Sequence, residues 1–194
     1  MNIGAQLRPA IMMVVVFTVL VGLIYPLTIT GIAQVLFPYQ ANGSLLTNSQ
    51  GKVVGSALIG QNFSGPQYFH PRPSAAGPNG YNAAASGGSN LGPTNKQLIA
   101  DVQQRAIAYR KENGLAPNAP VPVDAVTSSA SGLDPDISVA NAMDQVHRVA
   151  TARGLSDTQV TALVNQYTQG RILGILGEPV VNVLELNRAL NALK

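Results

Sequence analysis

The chain contains no cysteine, no tryptophan and only two histidines. Without cysteine there is no disulfide framework, no thiolate nucleophile and no cysteine zinc site. Two histidines, His70 and His147, cannot by themselves supply the three or four ligands a zinc ion needs. Asp144 stands three residues before His147 and shares its helix face, but two ligands do not make a site. Charge is also scarce: 11% of the 194 residues are Asp, Glu, Lys or Arg. Twelve basic side chains against nine acidic ones leave a formal charge of +3. They form no basic stripe, so the high isoelectric point carries no argument for nucleic acid. No polybasic cluster marks an anionic-lipid site either.

The scarcity of charge is extreme at the start. After Arg8 the next charged residue is Lys52. A membrane-spanning helix needs about 20 apolar residues to cross about 30 Å of hydrocarbon, and residues 10–33 supply that length. A secretory signal has a core of 7–15 apolar residues and a small-residue cleavage site. The stretch here runs on through Leu27, Ile29, Ile32, Val35 and Phe37 with no clean A-x-A site, which favours a retained anchor. Pro26 interrupts it, removing an N–H and crowding the carbonyl one turn back. Either a simple bend or a kink fitted to partner helices follows, with Thr28 and Thr30 nearby to satisfy freed groups. Thr18 and Gly22 form a small-xxx-small pair suited to close helix contact. Arg8 and the amino terminus precede the span, so the positive-inside bias puts them in the cytoplasm and the remainder outside. The expected organisation is residues 1–38 as N-terminus and single transmembrane helix, and 39–194 as an exported domain.

That domain reads as α+β with helices predominating. VVGSALIG at 53–60 reads as a short strand. From 62 to 93 proline and glycine leave little room for regular structure. Phe63, Tyr68, Phe69 and Tyr81 are unusual in a flexible linker and favour an ordered loop wrapped on a surface. Thr94 and Gln97 read as a capping box opening a helix through Leu98, Ile99, Val102, Ala106 and Tyr109 to Gly114. Residues 117–132 read as loop. Asp134, Pro135 and Ser138 offer starts for a helix with a stripe at Val139, Ala142, Val146 and Val149, stopping at Gly154. Asp136 is expected in its first turn, where capping outranks acid–base chemistry. Ser156 and Gln159 cap a third helix, and a short VVNV segment leads to a last one at 184–193.

Motifs for catalysis fail one by one. Gly51-Lys52 lacks the rest of a Walker A loop, and GRILGILG at 170–177 lacks the opening of a dinucleotide loop. No G-x-S-x-G elbow occurs, and Ser86 has no assignable base. The densest candidate is Ser86, Gly87, Gly88, Ser89 and Asn90. Its N–H groups suit an anion-binding nest or a tight turn docked on a partner, and the residues alone leave both open. A free-standing, membrane-anchored exported binding module or hydrolase is the rival to a subunit of an assembly.

Seven segments in order resemble the KdpC family, the C subunits of the Kdp potassium-transporting P-type ATPase. They are Tyr25-Pro26, GSALIGQNF at 55–63, YFHPRPS at 68–74, YNAAASGGSN at 81–90, GLDPDIS at 132–138, QVHRVATARG at 145–154 and GEPVVNVLELNRAL at 177–190. The resemblance implies a non-catalytic subunit of the inner membrane, with no cofactor of its own. Its implied partners are a potassium-translocating subunit, a P-type ATPase subunit that uses ATP and Mg, and a very small single-span subunit. It implies a helix packed in the membrane assembly and a domain over the entrance for K+; Thr18, Gly22, Tyr25 and Pro26 are the residues expected to make that helix packing. A catalytic-chaperone role, raising the ATPase subunit's affinity for ATP, is also attached to the family. Accounts that give the C subunit a direct ATP contact imply Ser86, Gly87, Gly88, Ser89, Asn90 and Gln145 here. ATP is cytoplasmic, whereas Arg8 argues for an exported domain; coupling between distant sites needs no direct contact.

Overall fold

The computed structural model describes residues 3–48 and 50–193. The chain divides into two compact units, residues 1–45 and 46–194.

The first unit is dominated by one apolar helix of 33 residues, Gly4–Leu36, long enough to cross a membrane. Counted from Ile3, one residue before that span, its elements are α1 (Ile3–Val19), a π-helical turn (Leu20–Ile24) and α2 (Tyr25–Leu36). At 1.5 Å per residue it is about 50 Å long, more than a hydrocarbon core requires. The helix begins earlier than residue 10 because nothing before Pro9 breaks it, so Arg8 and Pro9 lie inside α1. The π turn explains how Pro26 is accommodated. Tyr25 N–H reaches back five residues to the Leu20 carbonyl. The widened turn makes room for a proline ring that would otherwise press on the carbonyl four residues back. Beyond α2 a short helix α3 (Pro38–Ala41) ends at Asn42, whose side chain donates to the Pro38 carbonyl at 2.6 Å and to Gln34 at 3.2 Å.

Two short adjacent strands follow in sequence, β1 (Leu45–Thr47) and β2 (Val53–Ser56). The strand read over 53–60 therefore stops four residues early. The Ser56 hydroxyl accepts from Leu58 N–H and turns the chain, and Gly60 N–H then donates to the Leu133 carbonyl. Residues 62–93 hold only a 3-10 turn at Ala83–Ala85, yet Phe69 and Ala76 within them are fully buried. This is an ordered wrap, as its aromatic residues predicted.

Helix α4 (Lys96–Glu112) is capped by Asn95, not Thr94. The Asn95 side chain accepts from Gln97 N–H at 2.8 Å, and Gln97 turns instead to Asp101. Within the expected loop of 117–132 a single turn, α5 (Val123–Val126), forms. It exists to place Asp124, whose carboxylate accepts from Ser138 N–H, Ser138 O–H and Asn141 Nδ2 at 2.8–2.9 Å. Strand β3 (Asp136–Ser138) follows. Asp136 is thus in a strand and not in a first helical turn, because Ser138 takes the cap of α6 (Val139–Arg153) and leaves the preceding residues extended. Neither Asp134 nor Asp136 caps a helix.

Ala142, Val146 and Val149 of the α6 stripe are buried as their spacing predicts, Val139 is half-buried against the same core, and Gly154 ends the helix in a left-handed conformation. α7 (Asp157–Gln166) carries the reciprocal Ser156–Gln159 capping box. Two residues of β4 (Thr168–Gln169), then β5 (Val180–Asn182) and α8 (Val183–Ala192), complete the unit. The sheet order is β3-β5-β4, both pairs antiparallel, with Ile137 opposite Val181 and Thr168 opposite Val181. One core joins this sheet, α6, α7, α8 and Phe69 of the wrap.

Candidate functional site

The wrap is held by side chains whose residue types are polar and whose positions are buried. Gln145 is 1% exposed. Its Oε1 accepts from the His70 backbone N–H at 2.7 Å, and its Nε2 donates to the His70 carbonyl at 3.2 Å. Asn187 does the same one residue earlier, accepting from Phe69 N–H and donating to the Phe69 carbonyl, both at 2.9 Å. Two side-chain amides, from α6 and α8, therefore supply the donors and acceptors that neighbouring strands would normally give. The segment before them is read by arginines of α6. Arg148 Nη1 donates to the carbonyls of Pro66 and Tyr68 at 2.8 and 3.0 Å, its Nη2 to Gln145 and its Nε to Asn113. Arg153 Nε donates to the Gln67 carbonyl at 2.7 Å, and its guanidinium lies 5.2 Å from the Tyr68 ring centre. Burial of Arg148 draws its pKa down, with Glu112 and Tyr109 opposing the shift.

Next to this buttress lies a cleft of about 590 Å³, lined by the wrap from His70 to Ser74, by Tyr81 and by Arg105, Tyr109 and Glu112 of α4. Most of its polar groups are engaged within the chain. Arg72 Nη1 pairs with Asp134 at 2.7 Å. The Tyr81 hydroxyl donates to the Arg72 carbonyl at 2.8 Å, and the Tyr81 backbone, left-handed at φ +53°, is fixed by an N–H bond to Ser74 Oγ. Ser74 in turn donates to the Gly132 carbonyl at 2.6 Å. Arg105 donates to the Val126 carbonyl, and Tyr109 donates to Asn141. Burial pushes the Tyr81 and Tyr109 hydroxyls far above the usual phenol range, with Asp134 and Asp144 adding respectively. Both remain protonated donors. His70 Nδ1 lies 3.1 Å from Glu112 and its Nε2 2.9 Å from the Gly65 carbonyl, and the neutral ring donates its single N–H to one of the two. Burial and then Arg148 nevertheless lower its pKa, outweighing Gly65 and Glu112. Among the described residues, Arg72 Nε and Asp136 Oδ1 are buried with no hydrogen-bond partner.

Gln145 lines this cleft, but none of Ser86–Asn90 does. The glycine-rich run lies instead against residues 129–131. Gly87 N–H and the Ser86 hydroxyl both donate to the Ser131 carbonyl, at 2.9 and 3.0 Å. A Cβ on Gly88 would stand 3.1 Å from the Ala130 carbonyl oxygen, whereas one on Gly87 meets nothing within 4 Å. The run and Gln145 are separate features. Asp144 and His147 also part company: Asp144 accepts from Tyr109, and His147 lies 3.0 Å from Asp157. Among the described residues no group of three His, Asp or Glu could hold a metal ion.

The sequence reading missed Asn187, Arg148 and Arg153 as the residues that organise the wrap. The available signal was polar side chains on helix faces otherwise occupied by Val, Leu and Ala. Thr18, Gly22, Tyr25 and Pro26 fall in and beside the π turn, and a Cβ on Gly22 would meet only Thr18, at 3.9 Å.

Comparison with known proteins adds what geometry alone does not. Residues 7–192 match the KdpC family, described as "K+-transporting ATPase, c chain". The "Potassium-transporting ATPase KdpC subunit" of Caulobacter vibrioides NA1000 is 58% identical over 188 residues, covering 97% of this chain and 93% of that protein. The protein of the same name from Mycobacterium tuberculosis H37Rv is 58% identical, with 97% and 98% covered. That from Caulobacter sp. K31 is 56% identical, with 97% and 94% covered. The apolar helix and Arg8 make this a single-pass membrane protein with a cytoplasmic N-terminus and an exported C-terminal domain. Matched along nearly its whole length, from the anchor to the last helix, the chain belongs to the KdpC family.

Proposed function

We propose that this chain is the non-catalytic C subunit of an ATP-driven potassium-uptake complex, and that it acts by holding the assembly in an active arrangement. Residues 1–38 form the cytoplasmic terminus and the single span, and 39–194 the exported domain. The potassium-translocating subunit carries K+, and the P-type ATPase subunit uses ATP and Mg. A very small single-span subunit completes the set. The C subunit supports ATP turnover as a catalytic chaperone, acting through the assembly.

The observation that carries this reading is the commitment of the buried polar groups. Gln145 spends both ends of its amide on His70, and Gly87 spends its N–H on Ser131. That favours a rigid scaffold over a nucleotide site, and it favours an indirect effect on ATP affinity. A side chain already consumed by the fold has little left to offer a ligand.

The test is affinity purification from potassium-limited cells in mild detergent, followed by mass spectrometry. Stoichiometric recovery of a P-type ATPase subunit and a larger potassium-binding subunit is expected. Recovery of this chain alone with its own hydrolytic turnover would overturn the reading. Protection of Ser86–Asn90 by millimolar ATP in the assembled complex would overturn the indirect account of nucleotide affinity.

A further inference from the structure

The turn between β4 and β5 exposes four large aliphatic residues in a row broken by one glycine. Ile172, Leu173, Ile175 and Leu176 are 70%, 85%, 74% and 56% exposed. Burying them inside the domain would have been the ordinary outcome for such residues. Instead the turn is built to hold them out. Ile172 and Leu176 exchange both backbone bonds, at 2.9 and 3.0 Å, and Gly174 N–H closes on the Arg171 carbonyl at 3.0 Å. Leu173 sits at φ +54° and Gly174 at φ +75°. A leucine in the left-handed region is unfavourable by about 1–2 kcal/mol. At the base Arg171 and Glu178 pair at 2.6 Å and cancel one another's charge. The result is a stiff, neutral, aliphatic knob.

We infer that the Ile172–Leu176 knob is a docking element that seats in an apolar socket on the extracytoplasmic face of a membrane-embedded partner subunit. This rests on the reading of the chain as a subunit of a membrane complex. Four such side chains gather several hundred Å² of apolar surface, the size at which an exposed patch marks an interaction site. A self-standing interface takes about 800 Å² from each partner. The knob is therefore too small to hold a second copy of this chain, yet large enough to orient a partner already held alongside. The apolar helix supplies that condition, because two proteins in one bilayer meet at high effective concentration. The bilayer surface itself is the poorer occupant. Segments that lie in the interface carry aromatic and basic residues. This turn has no aromatic residue and no lysine, and its one arginine is spent on Glu178. A fluid bilayer also has no use for a fixed, strained tip, whereas a shaped socket does.

The test uses the full chain in membranes with its complex. A photoreactive benzoylphenylalanine at position 173 is expected to cross-link to an extracytoplasmic segment of a membrane subunit. A cross-link to phospholipid or to a second copy would overturn the inference, as would no cross-link in an intact complex. In parallel, Leu173→Asn with Ile175→Ser is expected to lower partner retention after detergent washing at least tenfold. Asparagine tolerates a positive φ better than leucine, so the thermal unfolding midpoint should not fall. Unchanged retention would overturn the inference. A wild-type chain recovered with no membrane subunit would overturn the complex reading and this inference together.

Discussion

Replacing Gln145 with leucine separates a scaffold from a ligand site. Leucine keeps much of the volume and the helix propensity. It removes an amide that makes four hydrogen bonds: from His70 N–H at 2.7 Å, from Arg148 Nη2 at 2.7 Å, to the His70 carbonyl at 3.2 Å and to Asn141 Oδ1 at 2.9 Å. Asn141 Oδ1 still accepts from the Tyr109 hydroxyl, so it is not orphaned. His70 N–H, its carbonyl and one guanidinium N–H are. A buried polar group left unpaired costs about 1–3 kcal/mol. The three together put the expected loss at about 3–9 kcal/mol, a large share of the 5–15 kcal/mol that holds a typical domain together. Urea unfolding of the purified full chain in detergent, followed by circular dichroism, reads this directly. Asn187→Leu, which orphans Phe69 N–H and its carbonyl, should behave alike. If Gln145→Leu shifts stability by less than about 1 kcal/mol while the complex loses ATP affinity, Gln145 faces a ligand and the scaffold argument fails.

Three further outcomes follow from local geometry. Gly132→Ala should destabilise by more than about 2 kcal/mol, since its φ is +64° and a Cβ would stand 2.7 Å from both Ala76 N and the Gly87 carbonyl oxygen. Gly88→Val should destabilise less and Gly87→Ala by no more than about 0.5 kcal/mol, so thermal midpoints in the order Gly87→Ala, Gly88→Val, Gly132→Ala, highest first, check the placement of that run. Asp136 has its pKa raised, first by burial and then by Asp134, so its ionisation opposes folding as pH rises above the ordinary carboxylate value. Asp136→Asn should therefore stabilise the chain at pH 7 and gain less at pH 4; equal gains at both would refute the assignment. His70 runs the other way: its folded pKa lies below 6.5, so protonation favours the unfolded chain and stability should fall as pH drops through 6.5. An NMR titration of the imidazole that gives a value above 6.5 would reverse that sign.

The anchor was legible because forty-three uncharged residues admit few other readings. The caps of α6 and α7 were legible for a related reason, since Ser138, Gly154 and the Ser156–Gln159 pair act on backbone groups within four residues. Such signals are local, and the chain carries them whatever the rest does. The errors were local too, but each was a competition the sequence did not decide. Asn95 displaced Thr94 as a cap because both are competent and only one register fits. Asp136 went to a strand because β5 offered its backbone a partner, with Asn182 opposite. Likewise α5 forms where Asp124 can reach Ser138 and Asn141.

For the candidate site the division is sharper. The aromatic residues of 62–93 showed that the segment was ordered, but not what ordered it. Its backbone partners are Gln145 and Asn187, 75 and 118 residues further on. Side-chain amides and guanidinium groups have no periodicity to betray their targets, because a polar residue on a helix face reads the same in water as against a buried carbonyl. The sequence by itself therefore determined the membrane anchor, the helical domain and the family. Only the tertiary structure decided that Gln145 holds the wrap and that the glycine run rests on Ser131. It also decided that Ile172–Leu176 stands in the open, because burial and hydrogen-bond partnership belong to the packed chain and not to the residue.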